Sequence, residues 1–454
     1  MDQDSSENNN SICFVANFYK TYFFHKIALQ LEQNGINVFW IVPKESQIDF
    51  LSTYYPKERI LSINRSCIKN KGIPVNDYKI NELIFGDRVL RHEYRNGQRF
   101  LINIQQPIYN FIVENNIQTI LGEVTWAHEL LIHRIVSVQT ELNCKYFSMH
   151  TVRIPNGRFA FFKDEKQSMI LENTEKQTNE ISQTITVEKP AYLKGNDAIL
   201  KRNMSIKGRV NRLKRLFSGE NIEKTDPNVI TKGFFRWWIP VREEYNRECY
   251  KWIRKKEFSE IIETPYVLFG FHKQPEASVD VCGRYFENQV DNVINLWRQL
   301  PTGWNLVVKE HTNAIGDRSY KFYKDLKKYP GIILANEKID SHLLIKKCKL
   351  VATNTGTMAL EAALLGIPAI TFSKVFFNKH NYCKCANWTI LENYTNIHVL
   401  IDEITSQSSN SEDYTSYIQN NTYEGVVGDV FSNPTVTDPD NVSKIAKAIL
   451  KVVE

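Results

Sequence analysis

Residues 351–370, VATNTGTMALEAALLGIPAI, have the pattern of a buried strand, a short polar turn and the start of a helix. An apolar run ends at Ala352, small polar residues follow to Thr357, and apolar residues then recur at helical spacing to Leu365. The first N–H groups of a helix have no partner within the helix, so this turn predicts a site for a negatively charged group. Threonine and asparagine are also common helix caps, and a capped strand–helix unit without a ligand is the alternative.

The residues of this turn are predicted to bind the ligand directly. Thr355 and Thr357 offer hydroxyl groups, and Gly356 has no side chain to keep a ligand away from the backbone. Asn354 belongs to the same set. Glu361 lies one turn into the predicted helix, where its carboxylate can accept hydrogen bonds from the hydroxyl groups of a sugar.

Short apolar runs alternate with helical patterns along the whole chain, which predicts an α/β protein. Parallel strands need a crossover connection that a helix supplies, so the alternation favours doubly wound parallel sheets. A chain of 454 residues exceeds what one core usually serves, and two such domains are expected. The predicted strands are Ile12–Ala16, Val38–Val42, Ile117–Leu121, Tyr146–Met149, Tyr266–Phe269, Asn305–Val308, Ile332–Leu334, Leu350–Ala352 and Ala369–Phe372.

A polar stretch from Gln167 to Lys194 has few large apolar residues and marks the border between the two domains. A terminal helix, Val442–Val453, either crosses back onto the first domain or caps the second. The predicted division of the chain is 1–185, 186–260, 261–435 and 436–454.

Composition narrows the class of protein. Hydrophobic residues make up 42% and charged residues 24%, as in soluble globular proteins, and no apolar run approaches the roughly 18 residues of a membrane-spanning helix. The polar, acidic N-terminus lacks the features of a secretory signal, which predicts a cytoplasmic protein. The eight cysteines show no disulfide or zinc spacing and are expected to be free thiols. A metal pair of Cys383 and Cys385 with His380 is the weaker alternative, and no metal is expected.

One segment carries the positive charge. Between Lys194 and Lys256 there are seventeen Lys and Arg against seven Asp and Glu, a balance of +10, which leaves −4 from the total of +6 for the remaining residues. Aromatic anchors among cations suit an anionic membrane surface, whereas nucleic acid has no recognised motif here. A solvated linker whose aromatics pack on a domain is the alternative. The residues concerned are Lys232, Phe234, Phe235, Arg236, Trp237 and Trp238.

Polar side chains follow two further strands of the second half. Ligands of such sheets bind beyond the carboxyl ends of the strands, so these groups and the threonine turn are predicted to line one crevice. Lysine and histidine can neutralise phosphate, and carboxylates can fix hydroxyl groups or act as acid or base. The groups are His272, Lys273, Gln274 and Glu276 after the first of these strands, and Lys309, Glu310 and His311 after the second.

Three segments in this order, FHKQPE, LPTGWNLVVKEH and ATNTGTMALEAALLGIPAI, resemble the capsule polysaccharide biosynthesis family, which is Kdo-transferase-like, and more broadly the nucleotide-sugar glycosyltransferases of the GT-B type. The resemblance covers chiefly residues 264–378. Gln274–Pro275 and Glu310–His311 look like the family's paired QP and HP motifs, although Thr312 stands where the family commonly has proline. The resemblance implies two Rossmann-like domains facing a central cleft, with the nucleotide sugar on the second and most of the acceptor site on the first.

The resemblance also implies an activity. Members of the family transfer an acidic sugar such as Kdo from its CMP form, so a CMP-linked ulosonate donor, a saccharide or lipid-linked acceptor and no further cofactor are expected. The stretches 121–126 and 153–158 look like the family's acceptor-side segments. A transferase using a UDP- or GDP-sugar or a CDP-polyol, and a non-catalytic capsule assembly or export factor, are the alternatives.

Roles follow for individual residues. Glu123, which comes after a predicted strand of the first domain, and Glu276 are the two predicted catalytic carboxylates. His311 and the turn at the start of the helix are expected to stabilise the departing phosphate, since positive groups placed where charge develops lower the barrier. Arg153 and Arg158 are predicted to grip a carboxylate on the donor sugar.

Overall fold

Two separate β-sheets organise the molecule, whose computed structural model describes residues 10–68, 76–173, 205–217, 223–231 and 233–453. The first sheet has seven strands, numbered along the chain, in the order β13-β6-β5-β4-β1-β2-β3. Strands β1 to β5 run parallel, and β6 and β13 extend the sheet in the antiparallel sense. These strands are β1 (Ser11–Val15), β2 (Asn37–Val42), β3 (Ile60–Ser62), β4 (Thr119–Gly122), β5 (Lys145–Val152), β6 (Arg158–Phe162) and β13 (Tyr423–Glu424).

The second sheet has six strands, all parallel, in the order β12-β11-β10-β7-β8-β9. The strand order reverses between β7 and β10, as in doubly wound sheets, and crevices for ligands form at such points. Its strands are β7 (Tyr266–Gly270), β8 (Asn305–Lys309), β9 (Ile332–Leu334), β10 (Leu350–Thr353), β11 (Ala369–Thr371) and β12 (Cys383–Cys385).

Helices connect most of the strands and cover both sheets. Those of the first half are α1 (Lys20–Gln33), α2 (Glu45–Leu51), α3 (Ile80–Gly86), α4 (Tyr94–Glu114) and α5 (Ala127–Val138). The middle of the chain forms α6 (Ile206–Phe217), α7 (Gly233–Lys251) and α8 (Phe258–Ile261). The second half forms α9 (Ala277–Asp280), α10 (Gln289–Arg298), α11 (Tyr320–Leu326), α12 (Ser341–Ile345), α13 (Thr357–Leu364), α14 (Trp388–Leu391), α15 (Ile397–Thr405), α16 (Ser411–Asn421) and α17 (Pro439–Val453).

Both faces of each sheet are buried, which is why the strands are continuous apolar runs rather than alternating ones. In β1, Ile12 and Phe14 join the core on one face of the first sheet, and Cys13 and Val15 join the core on the other. The period of two along a strand produces this division. The structure confirms the predicted fold class, α/β with two doubly wound domains.

The C-terminal part of the chain returns to the first domain. Strand β13 pairs with β6, so the crossing precedes Tyr423 and lies earlier than the boundary expected at 435. Helix α17 packs against α1, with Ile445 and Ile449 fully buried in the core that also holds Ile27. Of the two alternatives for the terminal helix, the structure therefore has the one in which it crosses back.

Ion pairs hold the two domains together on one side of the cleft. Arg284 of the second domain lies 2.5 Å from Glu165 and also pairs with Glu82, both in the first domain. Arg91 of the first domain lies 3.2 Å from Asp280 of the second. These contacts fix the orientation in which the carboxyl ends of the two sheets face each other.

Some sequence expectations fall outside the described residues: Lys232 and the part of the domain border within 174–204. None of the helices that the structure does describe is both long and apolar enough to cross a membrane.

Candidate functional site

His272 is the centre of the second domain's half of the cleft. It follows β7 directly and is buried, with its Nε2 2.7 Å from the Thr353 hydroxyl at the end of β10. That hydroxyl also accepts a bond of 3.3 Å from the Gly356 N–H. Two neighbouring strand ends are thus joined through one histidine and one threonine.

The surroundings of His272 keep its ring neutral. Burial first, and then the charges of His311, Arg318 and Arg153, lower the pKa of His272 to about 3. The Thr355 N–H lies 3.5 Å from the same Nε2 and points towards it. A neutral ring that accepts at Nε2 carries its proton on Nδ1 and can donate there without adding a charge.

Gly356 has no room for a side chain. A Cβ on this residue would lie 2.8 Å from Thr353 Oγ1 and 3.1 Å from His272 Cε1. Its backbone φ is −74°, which any residue adopts, so close packing and not backbone conformation requires glycine here. Helix α13 begins at the next residue, Thr357, and its first N–H groups receive no side-chain cap.

Two residues of the turn that are predicted to bind the ligand form side-chain hydrogen bonds within the fold. Asn354 is fully buried, its Oδ1 accepts a bond of 2.7 Å from Asn292, and its Nδ2 donates one of 2.7 Å to the Phe286 carbonyl. Both ends of this amide are therefore bonded within the fold. The Thr355 hydroxyl donates a bond of 2.7 Å to the Ser278 carbonyl, which leaves its lone pairs as acceptors.

Glu310, predicted to bind the ligand, is buried, and its carboxylate is bonded within the fold. Its carboxylate lies 2.6 Å from Arg318 Nη1 and accepts a bond of 2.5 Å from the Tyr323 hydroxyl. Burial raises the pKa of Glu310, and the Arg318 guanidinium opposes that rise. Arg318 in turn donates to the His272 carbonyl, so the Glu310–Arg318 pair positions the histidine loop.

Lys309 does not reach the turn with its ammonium. Its side chain is buried, and Nζ donates a bond of 3.2 Å to the Glu337 carbonyl, because β8 continues through Lys309 and directs it into the neighbouring loop. Its predicted role at the departing phosphate stays a prediction. His311 is exposed at the end of the same loop, with Nδ1 accepting a bond of 3.2 Å from the Asn313 N–H.

The remaining predicted residues of the second domain lie along the loop after β7. Gln274 donates a bond of 2.9 Å to Asp280, which fixes the loop's shape. Glu276 begins the short helix α9 and accepts a bond of 3.2 Å from the Ser278 hydroxyl. Lys273 is half-buried near Asp317, whose pKa burial raises to about 6.

Glu361 lies one turn into α13, as expected. Its Oε2 is 3.0 Å from His342 Nε2 on α12, so its carboxylate is shared with a neighbouring helix.

The first domain contributes a cluster of charged groups at its strand ends. Glu123, just after β4, is buried and forms an ion pair with Lys20 at the start of α1. Asn17, just after β1, donates from Nδ2 to Glu123 at 2.8 Å and to Glu129 at 3.1 Å. Glu129 also accepts bonds from Thr125 and caps α5. Glu123 is therefore held in one orientation.

The protonation of this cluster is tuned by burial. Burial lowers the pKa of Lys20 to about 8, although the carboxylates of Glu129 and Asp429 raise it. Burial first, and then the cations of Lys20 and Arg153, lower the pKa of His150, on β5, to about 3. A lysine that releases its proton close to neutral pH, in contact with a carboxylate, forms a pair that can take up or release a proton.

The two predicted arginines have different positions. Arg153 is exposed after β5, and its charge acts on His150 of the first domain and on His272 and His311 of the second. The predicted role of Arg158 at a donor carboxylate stays a prediction. It is buried because β6 begins there, and it donates bonds of 2.7 Å to the Thr422 hydroxyl and 3.1 Å to the Gln419 carbonyl.

The weaker metal alternative is not supported by the geometry. His380 binds the Ser411 hydroxyl at 2.9 Å through Nε2 and accepts from the Tyr382 N–H through Nδ1. Within the described residues, no group of three or more His, Cys, Asp or Glu could hold a metal ion, and all eight cysteines are free thiols.

A cavity of about 510 Å³ lies away from the strand ends, between α3 and the loop after α9. Its walls include Arg91, Arg284 and Asp280, whose charges are paired across the domain border. We place the functional site at the strand ends and not in this cavity, because the convergence of polar groups is found there.

Sequence reasoning missed several residues of the site. Asn17 stands directly after the first strand, and inspection of that strand end would have found it and the nearby Lys20. His150 lies inside a strand and Arg318 in a loop, and their places became visible only from the tertiary contacts. The missed residues are Asn17, Lys20, Glu129, His150, Arg318 and Thr353.

Comparisons with known proteins add the following. A family model described as a protein of unknown function (DUF354) matches residues 313–383, within the second domain. No curated protein matches the chain.

Several solved structures are similar over most of the chain. KpsC, beta Kdo 2,7 transferase, of Thermosulfurimonas dismutans is 8% identical with a TM-score of 0.38 and covers 98% of this chain and 100% of its own. The UDP-GlcNAc 2-epimerase of Methanocaldococcus jannaschii is 13% identical with a TM-score of 0.27, covering 88% and 93%. Anabaena Alr3699/HepE, in complex with UDP and glucose, is 10% identical with a TM-score of 0.26, covering 98% and 99%. Since these likenesses are distant, the strand orders themselves establish the fold class, α/β with two Rossmann-like doubly wound domains.

Proposed function

We propose that the protein is a glycosyltransferase that moves a sugar from a nucleotide donor, bound on the second domain, to an acceptor bound on the first. One observation carries the proposal: the charge of Arg153, which is exposed after β5 of the first domain, reaches His150 of that domain and, across the gap between the domains, His272 and His311 of the second. A ligand in this gap would contact both domains. A two-substrate transfer needs that geometry, since donor and acceptor must meet.

The second domain supplies groups suited to a phosphate that gains charge as it departs. These are the open N–H groups at the start of α13, the neutral ring of His272 and the exposed His311. Fixed dipoles aimed at the place where negative charge develops stabilise a transition state without reorganisation.

The first domain supplies the base. In the proposed step, the bond between the anomeric carbon and the phosphate oxygen breaks and the acceptor oxygen bonds to that carbon. The acceptor's proton passes to Glu123, and the nucleotide leaves as an anion. Asn17 and Lys20 hold Glu123 in place for this transfer. Glu276 is the second candidate for the base, because it faces the cleft from the other domain.

For the donor we propose a CMP-linked acidic ulosonate, Kdo-like or nonulosonic. Arg153 is exposed in the gap and can bind the sugar carboxylate in bidentate fashion. The resemblance of the strand-end motifs to the capsule polysaccharide biosynthesis family supports the same donor. The setting would be the cytoplasmic assembly of a bacterial surface polysaccharide on a saccharide or lipid-linked acceptor.

Calorimetry of the purified protein with CMP, UDP, GDP and CDP tests this proposal. We expect selective binding of CMP, weakened by His311→Ala and unchanged by His398→Ala, which removes an exposed histidine of α15. Preference for UDP, GDP or CDP would replace the donor by another activated sugar or polyol. Absence of binding to all four would contradict the transferase and favour a non-catalytic assembly or export factor.

A further inference from the structure

Large apolar side chains lie exposed along one face of α7 and just beyond its end. Phe234 is 70% exposed, Tyr245 68% and Trp252 84%. An α-helix has 3.6 residues per turn, so these residues and the other exposed apolar residues of α7 lie on the same side of the helix. The members of this aromatic stripe are Phe234, Trp237, Trp238, Val241, Tyr245 and Trp252.

Other faces of α7 attach the helix to both domains. Phe235 packs against the ring of His92 in the first domain, with ring centroids 5.3 Å apart. Asn246 is buried and donates a bond of 3.1 Å to the Gly316 carbonyl in the second domain. The stripe is therefore not the helix's core-facing side. Phe235, expected from sequence to be an anchor, belongs to the packed side.

The stripe has exposed cations near it. Arg242, Lys251 and Arg254 are all exposed on or just after α7. Helix α6 lies alongside, because its Arg209 contacts Glu244 at 2.5 Å and Glu248 at 2.7 Å. Glu244 and Glu248, the acidic residues closest to the stripe, are thus already paired. The sequence from Lys194 to Lys256 has a net charge of +10, so positive charge is in excess there.

We infer that the aromatic stripe docks the protein on an anionic lipid bilayer. Tryptophan and tyrosine combine an apolar ring with a polar group and suit the interface between lipid and water, and nearby lysine and arginine add attraction to acidic headgroups. A second copy of this chain would bring the same positive segment against this one, so charge favours the bilayer over self-association. Docking through α7 would hold both domains at the surface, and it does not depend on the proposed transfer.

Vesicle flotation with the full-length protein tests the inference. Vesicles of phosphatidylcholine alone are compared with vesicles made of phosphatidylcholine and phosphatidylglycerol in equal amounts. We expect the protein to float with the anionic vesicles and to be partly released by salt, since the headgroup attraction is screened. Trp237→Ala/Trp238→Ala should lower partitioning roughly tenfold by removing buried apolar area.

The matched control is Tyr54→Ala/Phe85→Ala, which removes two aromatic rings that are exposed elsewhere, at 56% and 57%. It should float like the unchanged protein, and circular dichroism should show both double variants folded. The inference is overturned if the unchanged protein stays with the unbound fraction or if both double variants float equally. It is also overturned if light scattering shows a dimer that only the tryptophan variant dissociates, because the stripe is then a self-interface.

Discussion

The two halves of the cleft use different chemistry at equivalent places. After the strands of the first domain stands a buried ion pair, Lys20–Glu123, oriented by Asn17. After the strands of the second stands a neutral imidazole, His272, bonded to the Thr353 hydroxyl beside the start of a helix. One half holds groups that can change protonation, and the other holds fixed dipoles.

The difference indicates which half handles protons and which handles the leaving anion. The Lys20 ammonium, whose pKa burial lowers to about 8, can exchange a proton near neutral pH, and it lies in contact with the Glu123 carboxylate. Fixed N–H groups and a neutral ring cannot accept a proton readily, but they stabilise an anion at no cost of reorganisation. The ion pair of the second domain, Glu310–Arg318, is buried behind His272 and supports the loop.

The largest effect is expected from Glu123→Gln. The substitution keeps the shape of the side chain and removes its basicity, so turnover should fall about 10²- to 10⁴-fold. Nucleotide affinity should stay nearly unchanged, because Glu123 lies on the other domain. Turnover with a CMP-ulosonate donor and calorimetry with CMP measure the two quantities.

Glu276→Gln is the matched control on the opposite side of the cleft. If Glu276→Gln abolishes turnover and Glu123→Gln retains it, the proton-handling half is the second domain and the assignment above is reversed. Thermal unfolding of both variants separates loss of the base from loss of the fold, since Lys20 loses its charged partner in one of them.

Arg318→Met tests whether the ion pair of the second domain is a support. Removing one partner of a buried pair leaves the other charge uncompensated, so the free energy of unfolding should fall by about 3–5 kcal/mol. Urea unfolding followed by circular dichroism measures it. Arg59→Met is the control, because the Arg59–Glu32 pair is more exposed and should contribute only about 0–1 kcal/mol. Equal losses in both variants would show that Glu310 does not depend on Arg318.

Gly356→Ala tests the dipolar half directly. The added Cβ would meet Thr353 Oγ1 at 2.8 Å and His272 Cε1 at 3.1 Å, so the turn must shift away from the histidine. We expect nucleotide affinity to fall roughly tenfold, a loss of about 1.4 kcal/mol, with the fold retained. Gly428→Ala, whose Cβ meets only Val436 at 3.4 Å, should bind as the unchanged protein does. Unaltered affinity in Gly356→Ala would place the nucleotide elsewhere.

Most strands could be predicted from the sequence because both faces of each sheet are buried. Such strands are unbroken apolar runs, and all nine predicted ones match observed strands within a few residues. Strand β6 was missed, although FAFF at 159–162 is an apolar run. Strand β13 has two residues and pairs across the domain border, so no local pattern marks it.

The site could be predicted in part, for a physical reason. Inspection of the residues that follow each predicted strand located His272 and the turn before α13, because the carboxyl ends of parallel strands meet at one edge of the sheet. It could not tell that the side chains of Lys309, Glu310 and Asn354 turn inward, since only tertiary contacts decide which strand-end groups are satisfied by the fold. Arg318 illustrates the same limit, because its partner lies eight positions earlier in the loop after β8.

Acid stability is a property in which the two halves should behave alike. The pKa of His272 and that of His150 are each lowered to about 3, well below the ordinary value of 6.5. Between pH 6.5 and pH 3 each of these histidines binds a proton in the unfolded chain but not in the folded protein. The free energy of unfolding therefore falls as the pH drops below about 6.5. Each histidine should contribute up to about 1.4 kcal/mol per pH unit, visible in urea unfolding between pH 6.5 and 5. His272→Gln or His150→Gln should flatten the slope, whereas exposed His398→Gln should not. A slope unchanged in His272→Gln would mean that this ring is charged in the folded protein, and the contrast between a charged half and a neutral half would then be lost.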